Sequence, residues 1–503
     1  MAPRKPSATT KAAPRRGAAV TAAKRAPLTR LIARFITGLS YDKIPRRILI
    51  PMQQSVPDTI GCALLGASTD FAQLVGDFVS DWDSRGEAAI WGTSRRAAMP
   101  FAAMANSAAC HAWDYDDTLL PAVLHPGSVA LPTALAVAER LGGKISGKDL
   151  LTALAAGYEV GNVIGTALGS KAFASGGFYN SVPTIFVALA TAAKLMRLSE
   201  EQTMRALGLA ASQAGGLYSA TLAKRFNAPK AVLGGLFAAE LARRGLEAST
   251  DSIEADYSGF LGTFSRVPDY AAIPRDLGHW RFEIYHKFYP CIRSNHPTVE
   301  NVRLILDENP AVRPGQIRKI VSHVDQLTID YTMKTTAGGA AGVKTVGNAL
   351  ISLHYCVAAM VIDGELGLRQ FTSAKVTNRS IQALMKRIEL RTDPAIDALP
   401  ATDRYRCTTE IQLDDGRVLK RALVGPKGDP NNRLTDTEMQ TKFVSNAAGI
   451  MPRKRALELY AALSGIEAAS DIRGITKLLR SGRRSPGKRN MGTSTTTGSR
   501  SAR

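Results

Sequence analysis

Apolar side chains recur at three- and four-residue intervals through alanine- and leucine-rich stretches between about residues 43 and 285, and glycine or proline punctuates them. That period predicts helices near residues 47–65, 101–111, 128–142, 147–166, 182–196, 200–214 and 230–245. Two helix starts are marked independently, because Ser146 to Asp149 and Ser199 to Gln202 have the spacing of a capping box. Alanine and glycine on the apolar faces let helices approach closely at little cost in side-chain entropy, so packing is their expected use.

The rhythm changes after Phe282. Ile317 to Val324 reads as a strand, and Cys407 to Leu413, the turn Asp414-Asp415-Gly416 and Val418 to Leu423 read as a hairpin. Helical patterns at 294–306, 347–362 and 378–388 interleave with those strands, which predicts a smaller α+β domain over about residues 285–425. From Thr435 to about residue 468 the helical pattern returns. Two arrangements fit: the last helices complete the first domain and make the α+β unit an insertion, or they form a third small domain.

The 503-residue chain is 45% apolar, enough for a sizeable core. No run approaches the roughly 18 uninterrupted apolar residues of a bilayer span, so a soluble protein with no membrane partner is expected. A formal charge of +21 would favour a nucleic-acid partner if it were spread over the fold. Instead, residues 1–30 hold eight Lys or Arg and no acid, and residues 473–503 hold nine and no acid, which leaves the body nearly neutral. Both ends are rich in small and polar residues and are expected to be disordered tails, with non-specific contacts as their nucleic-acid role. The first 30 residues share the composition of an organellar presequence and lack the apolar core of a secretory signal. Five scattered cysteines without a C-x-x-C pair indicate neither a disulfide framework nor a cysteine zinc site, so a reducing, cytoplasmic home is expected, with organellar targeting left open.

The densest chemistry lies between His111 and Pro132, where Asp114, Asp116 and Asp117 stand near two imidazoles, His111 and His125. Like charges crowded in a partly dry cleft raise one carboxyl pKa. His125, in a loop before Pro126 and Gly127, suits acid or base work near neutrality, a structural hydrogen bond being its other reading. The spacing matches no familiar metal motif, so no metal is expected. Asp114, Asp116 and Thr118 also spell the signature of haloacid-dehalogenase-type phosphotransferases; that nucleophile follows a buried strand, whereas residues 101–113 favour a helix. Asp116 and Asp117 also read as capping or loop-stabilising groups. No nucleotide-binding glycine motif and no serine elbow is present.

Several further motifs follow in order over about residues 30–468. They are Trp91-Gly92, Ala102 to Thr118 with Asn106 and His111, His125-Pro126, Ala223 to Phe226, Lys287 to Cys291 with His296, Ser352 to Tyr355, Gly428 to Pro430 and Lys442-Phe443. Together they resemble the MmgE/PrpD family, which includes 2-methylcitrate dehydratase, cis-aconitate decarboxylase and an iminodisuccinate epimerase. The resemblance implies a mainly α fold with an α+β lid: a large all-helical domain formed by N- and C-terminal parts (31–284 and 426–470), a smaller inserted α+β domain (285–425), and basic tails at 1–30 and 471–503. It also implies a homodimer that needs no metal or organic cofactor.

The same resemblance places Asp114, Thr118 and His125 in a catalytic pocket, with Lys224 facing the lid and Lys287 at the domain junction. His125 would move the proton, Asp114 would orient a partner, and the lysines would hold a carboxylate or stabilise enolate charge. Arg293, His296 and Tyr331 are the further candidate substrate contacts. Two positions depart from the family pattern: Tyr179 stands where a catalytic histidine is common, and Asn227 where a histidine is usual. Both are kept as substrate contacts, although neither shuttles protons as imidazole does. The function implied is a hydro-lyase acting on a small, 2-methylcitrate-like di- or tricarboxylate. Decarboxylation or epimerisation of a related acid, or carboxylate binding without catalysis, are the alternatives that Tyr179 and Asn227 keep in play.

Overall fold

A computed structural model describes residues 26–82, 85–169, 181–217, 221–335 and 339–480. Its N-terminal half is a stack of helices: α1 (Leu28–Gly38), α2 (Arg46–Gly66), α3 (Asp70–Trp82), α4 (Met99–Cys110), α5 (Gly127–Leu141), α6 (Gly147–Leu168), α7 (Thr184–Leu195), α8 (Glu200–Gln213) and α9 (Asn227–Arg243). Both expected capping boxes close. Ser146 accepts from the Asp149 N–H and Ser199 from the Gln202 N–H, while the Asp149 and Gln202 side chains accept from the cap residues in return.

The small residues of α6 set how closely its neighbours sit. Gly157, Gly161 and Gly165 recur at every turn on one face. A Cβ at 157 would lie 2.3 Å from Thr191 Oγ1, and one at 161 would lie 2.4 Å from Val187 Cγ2, both on α7. At 165 it would lie 2.7 Å from the Cβ of Ala122, in the loop that leads to His125. The bare backbone of α6 therefore seats both a helix and the loop that carries a candidate site residue.

Two short ladders tie this half together: β1 (Ala88–Ala89) with β2 (Arg96–Ala97), and β3 (Thr118–Leu120) with β4 (Glu283–Tyr285). Beyond them, β5 (Ile317–Val324), β6 (Ile388–Thr392), β7 (Arg406–Leu413) and β8 (Val418–Val424) form one sheet in the order β6-β5-β7-β8. The β5–β6 pair is parallel and the others are antiparallel. Strand β7 alternates, burying Cys407, Thr409, Ile411 and Leu413 on the side that packs against α10 (His296–Glu308). Helix α10 in turn packs on α11 (Leu353–Asp363), which packs on α12 (Arg379–Met385).

Two expected helices of this region are interrupted. The pattern over 347–362 breaks at Ser352, which leaves the helical conformation and caps α11 by accepting from the Tyr355 N–H. The pattern over 378–388 stops at Met385, and Ile388–Thr392 becomes β6, because the parallel partner β5 satisfies its backbone.

The apolar side chains separate into two cores. One runs from Leu28 and Ile32 through the N-terminal helices to Phe443 and Leu459, so α13 (Asp436–Ala447) and α14 (Arg453–Ser464) share it. The other gathers Val299, Ile320, Leu353, Ile381 and Ile411 around the four-stranded sheet. The fold is mainly α, with a smaller α+β lid inserted between the N- and C-terminal parts of the helical domain.

Order extends into both segments read from composition as tails. Leu28 and Thr29 are buried, and Thr29 donates to Glu254 from its N–H and its hydroxyl. At the other end, α15 (Arg473–Leu478) packs on α5, and the Leu479 carbonyl accepts from the Gly92 N–H. A few apolar side chains, Ile472, Ile475 and Leu479, are enough to dock a basic segment whose composition alone reads as solvated. Residues 1–25 and 481–503 lie outside the described residues. All five cysteines are buried free thiols, and no helix among the described residues is long and apolar enough to cross a membrane.

Candidate active site

Helix α4 ends at His111, and three residues later Asp114 turns the chain with φ +50°, a left-handed conformation that aspartate adopts more readily than most residues. The turn sends residues 114–117 inward and delivers the chain to β3. There Thr118 pairs with Tyr285 of β4, and Lys287 follows two residues later. The three-pair ladder thus joins stretches that lie 173 residues apart, as the Lys287–Asp114 contact measures.

Asp114 is the centre of the cluster. Lys224 donates to its Oδ2 at 2.7 Å, and Lys287 donates to Oδ1 and, at 2.6 Å, to the Asp114 backbone carbonyl. Burial opposes ionisation of Asp114, but Lys224 and Lys287 outweigh it and hold the carboxyl well below the usual range. Behind Lys287, Lys442 pairs with Asp58 at 2.6 Å and donates to the carbonyls of Lys287 and Tyr115 at 2.8 and 3.1 Å. These bonds fix the segment that carries Lys287 to the C-terminal helix α13.

His125 approaches the same carboxylate, with Nε2 at 3.8 Å from Asp114 Oδ1. Its Nδ1 lies 3.0 Å from the Asp117 carbonyl and 3.3 Å from Asp116 Oδ1. A carbonyl only accepts, so Nδ1 carries the hydrogen and Nε2 keeps the lone pair of the neutral ring. Burial pushes the His125 pKa down, and Asp116 draws it part of the way back.

The two other carboxylates are held differently. Asp116 accepts from His111 Nδ1 at 3.0 Å; burial resists its ionisation, and the two imidazoles overcome that resistance and hold it well below the usual range. Asp117 accepts from the Gly127 N–H at the start of α5 and from the hydroxyls of Ser55 and Tyr158. For Asp117 burial prevails over these bonds and pushes the carboxyl up to about 7. Its side chain anchors the loop, and its carbonyl orients His125.

His111, Asp116 and His125 offer ligand atoms within 4.8 Å of one another, a spacing that could suit a small cation. Both Nδ1 atoms already face the Asp116 carboxylate, and each ring keeps its Nε2 as the remaining nitrogen. A cavity of about 30 Å³ opens beside the two rings, walled also by Ser181, Thr184, Lys224 and Asn227. A larger one, about 400 Å³, is lined by Arg47, Tyr285, Tyr405, Arg406 and Asp429 among others, and holds none of the histidines or lysines of the cluster. The chemistry, rather than the size, marks the smaller cavity.

Of the residues expected from the sequence, Asp114, His125, Lys224 and Lys287 are in one cluster, and Asn227 shares the cavity from the first residue of α9. Thr118 is buried beneath it, its Oγ1 without a partner among the described residues. Arg293 does not line the cavity; it donates to Asp429 at 2.9 Å and lies against the rings of Tyr285 and Tyr405. His296, buried at the start of α10, faces the Cys291 carbonyl, and Tyr331 sits on the helix Gln326–Thr335; neither borders the cavity. Tyr179 lies outside the described residues. His111 is the group that the expected set omits, although it stands at the end of α4 in the same motif.

Residues 30–272 match the MmgE/PrpD N-terminal domain, and residues 289–464 match the MmgE/PrpD C-terminal domain. A cis-aconitate decarboxylase-like protein of Aspergillus oryzae is 26% identical over 480 residues, covering 90% of this chain and 97% of that protein. Human cis-aconitate decarboxylase is 26% identical over 467 residues, covering 90% and 94%, and that of Aspergillus terreus is 26% identical over 485 residues, covering 91% and 97%. The two domain matches flank β4 and Lys287, the segment through which the helical domain hands the chain to the lid. With the helical domain and the lid matched in order along one chain, the protein belongs to the MmgE/PrpD family.

Proposed function

We propose that the protein is a lyase that removes water from a small di- or tricarboxylate through a carbanion next to a carboxylate. The observation that carries this reading is the Asp114 carboxylate held by two lysines beside the lone-pair nitrogen of His125. Lys224, with its side chain 25% exposed, is placed to exchange Asp114 for a substrate carboxylate, while the buried Lys287 keeps Asp114 charged and fixed. His125 Nε2 takes the proton from the substrate carbon, and the negative charge spreads onto the neighbouring carboxylate that Lys224 holds. The pair of electrons then forms the double bond as the carbon–oxygen bond breaks and the hydroxyl leaves, protonated, as water. In this reading the enzyme is a cytoplasmic homodimer without metal or organic cofactor.

Loss of carbon dioxide is the second reading, favoured by the names of the relatives, which are cis-aconitate decarboxylases. The same lysines would stabilise the carbanion left when a carboxylate departs. Purified protein incubated with 2-methylcitrate, citrate and cis-aconitate separates the two by absorbance of a new conjugated alkene and by release of carbon dioxide. Alkene without carbon dioxide supports dehydration, and carbon dioxide from cis-aconitate supports decarboxylation. Saturable binding with neither product would leave a carboxylate-binding protein.

A further inference from the structure

The surroundings of His111 mirror those of His125. Both rings border the same cavity, their centroids 4.7 Å apart and their planes at 62°. Both turn Nδ1 toward Asp116, at 3.0 and 3.3 Å. A carboxylate accepts and does not donate, so each neutral ring keeps its hydrogen on Nδ1 and presents Nε2 as the remaining nitrogen. Among the described residues neither Nε2 makes a hydrogen bond; that of His125 lies 3.8 Å from Asp114 Oδ1.

Asp116 is fully buried, and its single negative charge faces two imidazoles. One carboxylate offsets one imidazolium, and a second positive ring at this separation in a dry site would be repelled by the first. The other charges around the pair weigh further against a second imidazolium, because the single Asp114 carboxylate faces both Lys224 and Lys287 and leaves one net positive charge, and Asp117 is held by neutral donors. The pair therefore accommodates one extra proton at a time, on either ring.

We propose that His111 and His125 are a one-proton acid–base pair in which His125 is the base and His111 the acid. The inference rests on the lyase reading above and deepens it. In the step, neutral His125 Nε2 takes the proton from the substrate carbon, and the C–H electron pair becomes the new C=C bond. The C–O bond breaks with its electrons going to oxygen, which takes the proton of the His111 imidazolium and leaves as water. His125 is left protonated and His111 neutral. Transfer of that proton from one Nε2 to the other across the cavity restores the pair, so substrate becomes alkene and water with no net change in the protein. His111 thereby supplies the second imidazole that Tyr179 and Asn227 do not.

The test compares the full-length wild type with His111→Gln and His125→Gln. Nitrogen NMR of the imidazoles reads protonation, deuterium uptake at the substrate carbon reads the base, and alkene formation reads the whole reaction. In His111→Gln, the His125 titration midpoint is expected to rise, because a like charge has been removed. Deuterium uptake persists in that variant while alkene formation falls by about 10²-fold or more. In His125→Gln both are lost. An unmoved His125 midpoint, or uptake and alkene formation falling together in a folded His111→Gln, overturns the proposal. If no acid gives uptake or product with the wild type, the lyase reading fails, and the NMR titration alone still decides whether the two rings share one proton.

Discussion

Lys224 and Lys287 bind the same carboxylate from different environments. The Lys287 side chain is 1% exposed, whereas that of Lys224 is 25% exposed on the cavity wall. Replacing Lys287 by Met removes the buried donor of Asp114 Oδ1 and of its backbone carbonyl, leaving only the partly exposed Lys224 on the carboxylate, and a loss of about 3–5 kcal/mol in unfolding free energy is expected. Lys224→Met leaves Asp114 its buried partner, so thermal unfolding changes little while the KM for a polycarboxylate rises. Denaturant titration and saturation kinetics on both variants check the contrast; equal destabilisation by the two would contradict it. Much of this cluster was legible, since Asp114, Thr118 and His125 fall in one dense segment and Lys224 and Lys287 come with the family resemblance. His111 was not, because its role depends on Asp116 standing between two rings, which only the turn at Asp114 brings about. Arg293 reads in the sequence as a cation that would offset a substrate's negative charge; the fold brings Asp429, 136 residues away, to within 2.9 Å of it.

Helices were the most legible elements, and α6 shows why. Its capping box, its glycine stripe and its apolar face all point to the same start and packing. Adding a methyl group at 157 or at 165 forces contact inside 3 Å in each case, so Gly157→Ala and Gly165→Ala should each cost about 1–3 kcal/mol in denaturant titration. Only Gly165→Ala pushes on Ala122, in the loop before His125, so only that variant is expected to lower turnover at a temperature where both are folded. Equal activities would show that the His125 loop is insulated from α6. The short ladders were illegible: β3 and β4 hold three residues each and exist only because they find each other. Strand β6 went unread for the same reason: the expected helix at 378–388 reaches only its first residue, and its apolar period is too short to settle the matter without β5 beside it.

At the scale of the whole molecule, buried histidines set the acid response. Burial lowers the pKa of His354, in the lid, from 6.5 to about 4, so the native state refuses a proton that the unfolded chain accepts. The stability that goes with the neutral ring is complete above pH 6.5 and is lost as the pH falls through about 4. Asp117 and Glu159, raised to about 7 by burial, act in the opposite sense across this window, since their contribution is present at low pH and is lost as the pH rises through 7. His354→Gln isolates one side of this balance: relative to wild type, its unfolding free energy should decline less between pH 6.5 and 4, the difference approaching ~3 kcal/mol at the acid end. A parallel pair of profiles would mean that the ring is protonated in the native state. The β3–β4 ladder has a consequence of another kind, in the order of synthesis. Asp114 leaves the ribosome 173 residues before Lys287 and 328 before Lys442, which holds the Lys287 segment in place. At about 5–20 residues per second, the carboxylate waits on the order of ten seconds or more for its buried counter-charge. A nascent chain that stops short of β4 has His111, His125 and Lys224 but cannot finish the site, so activity in this protein is also a report that translation has run past the lid.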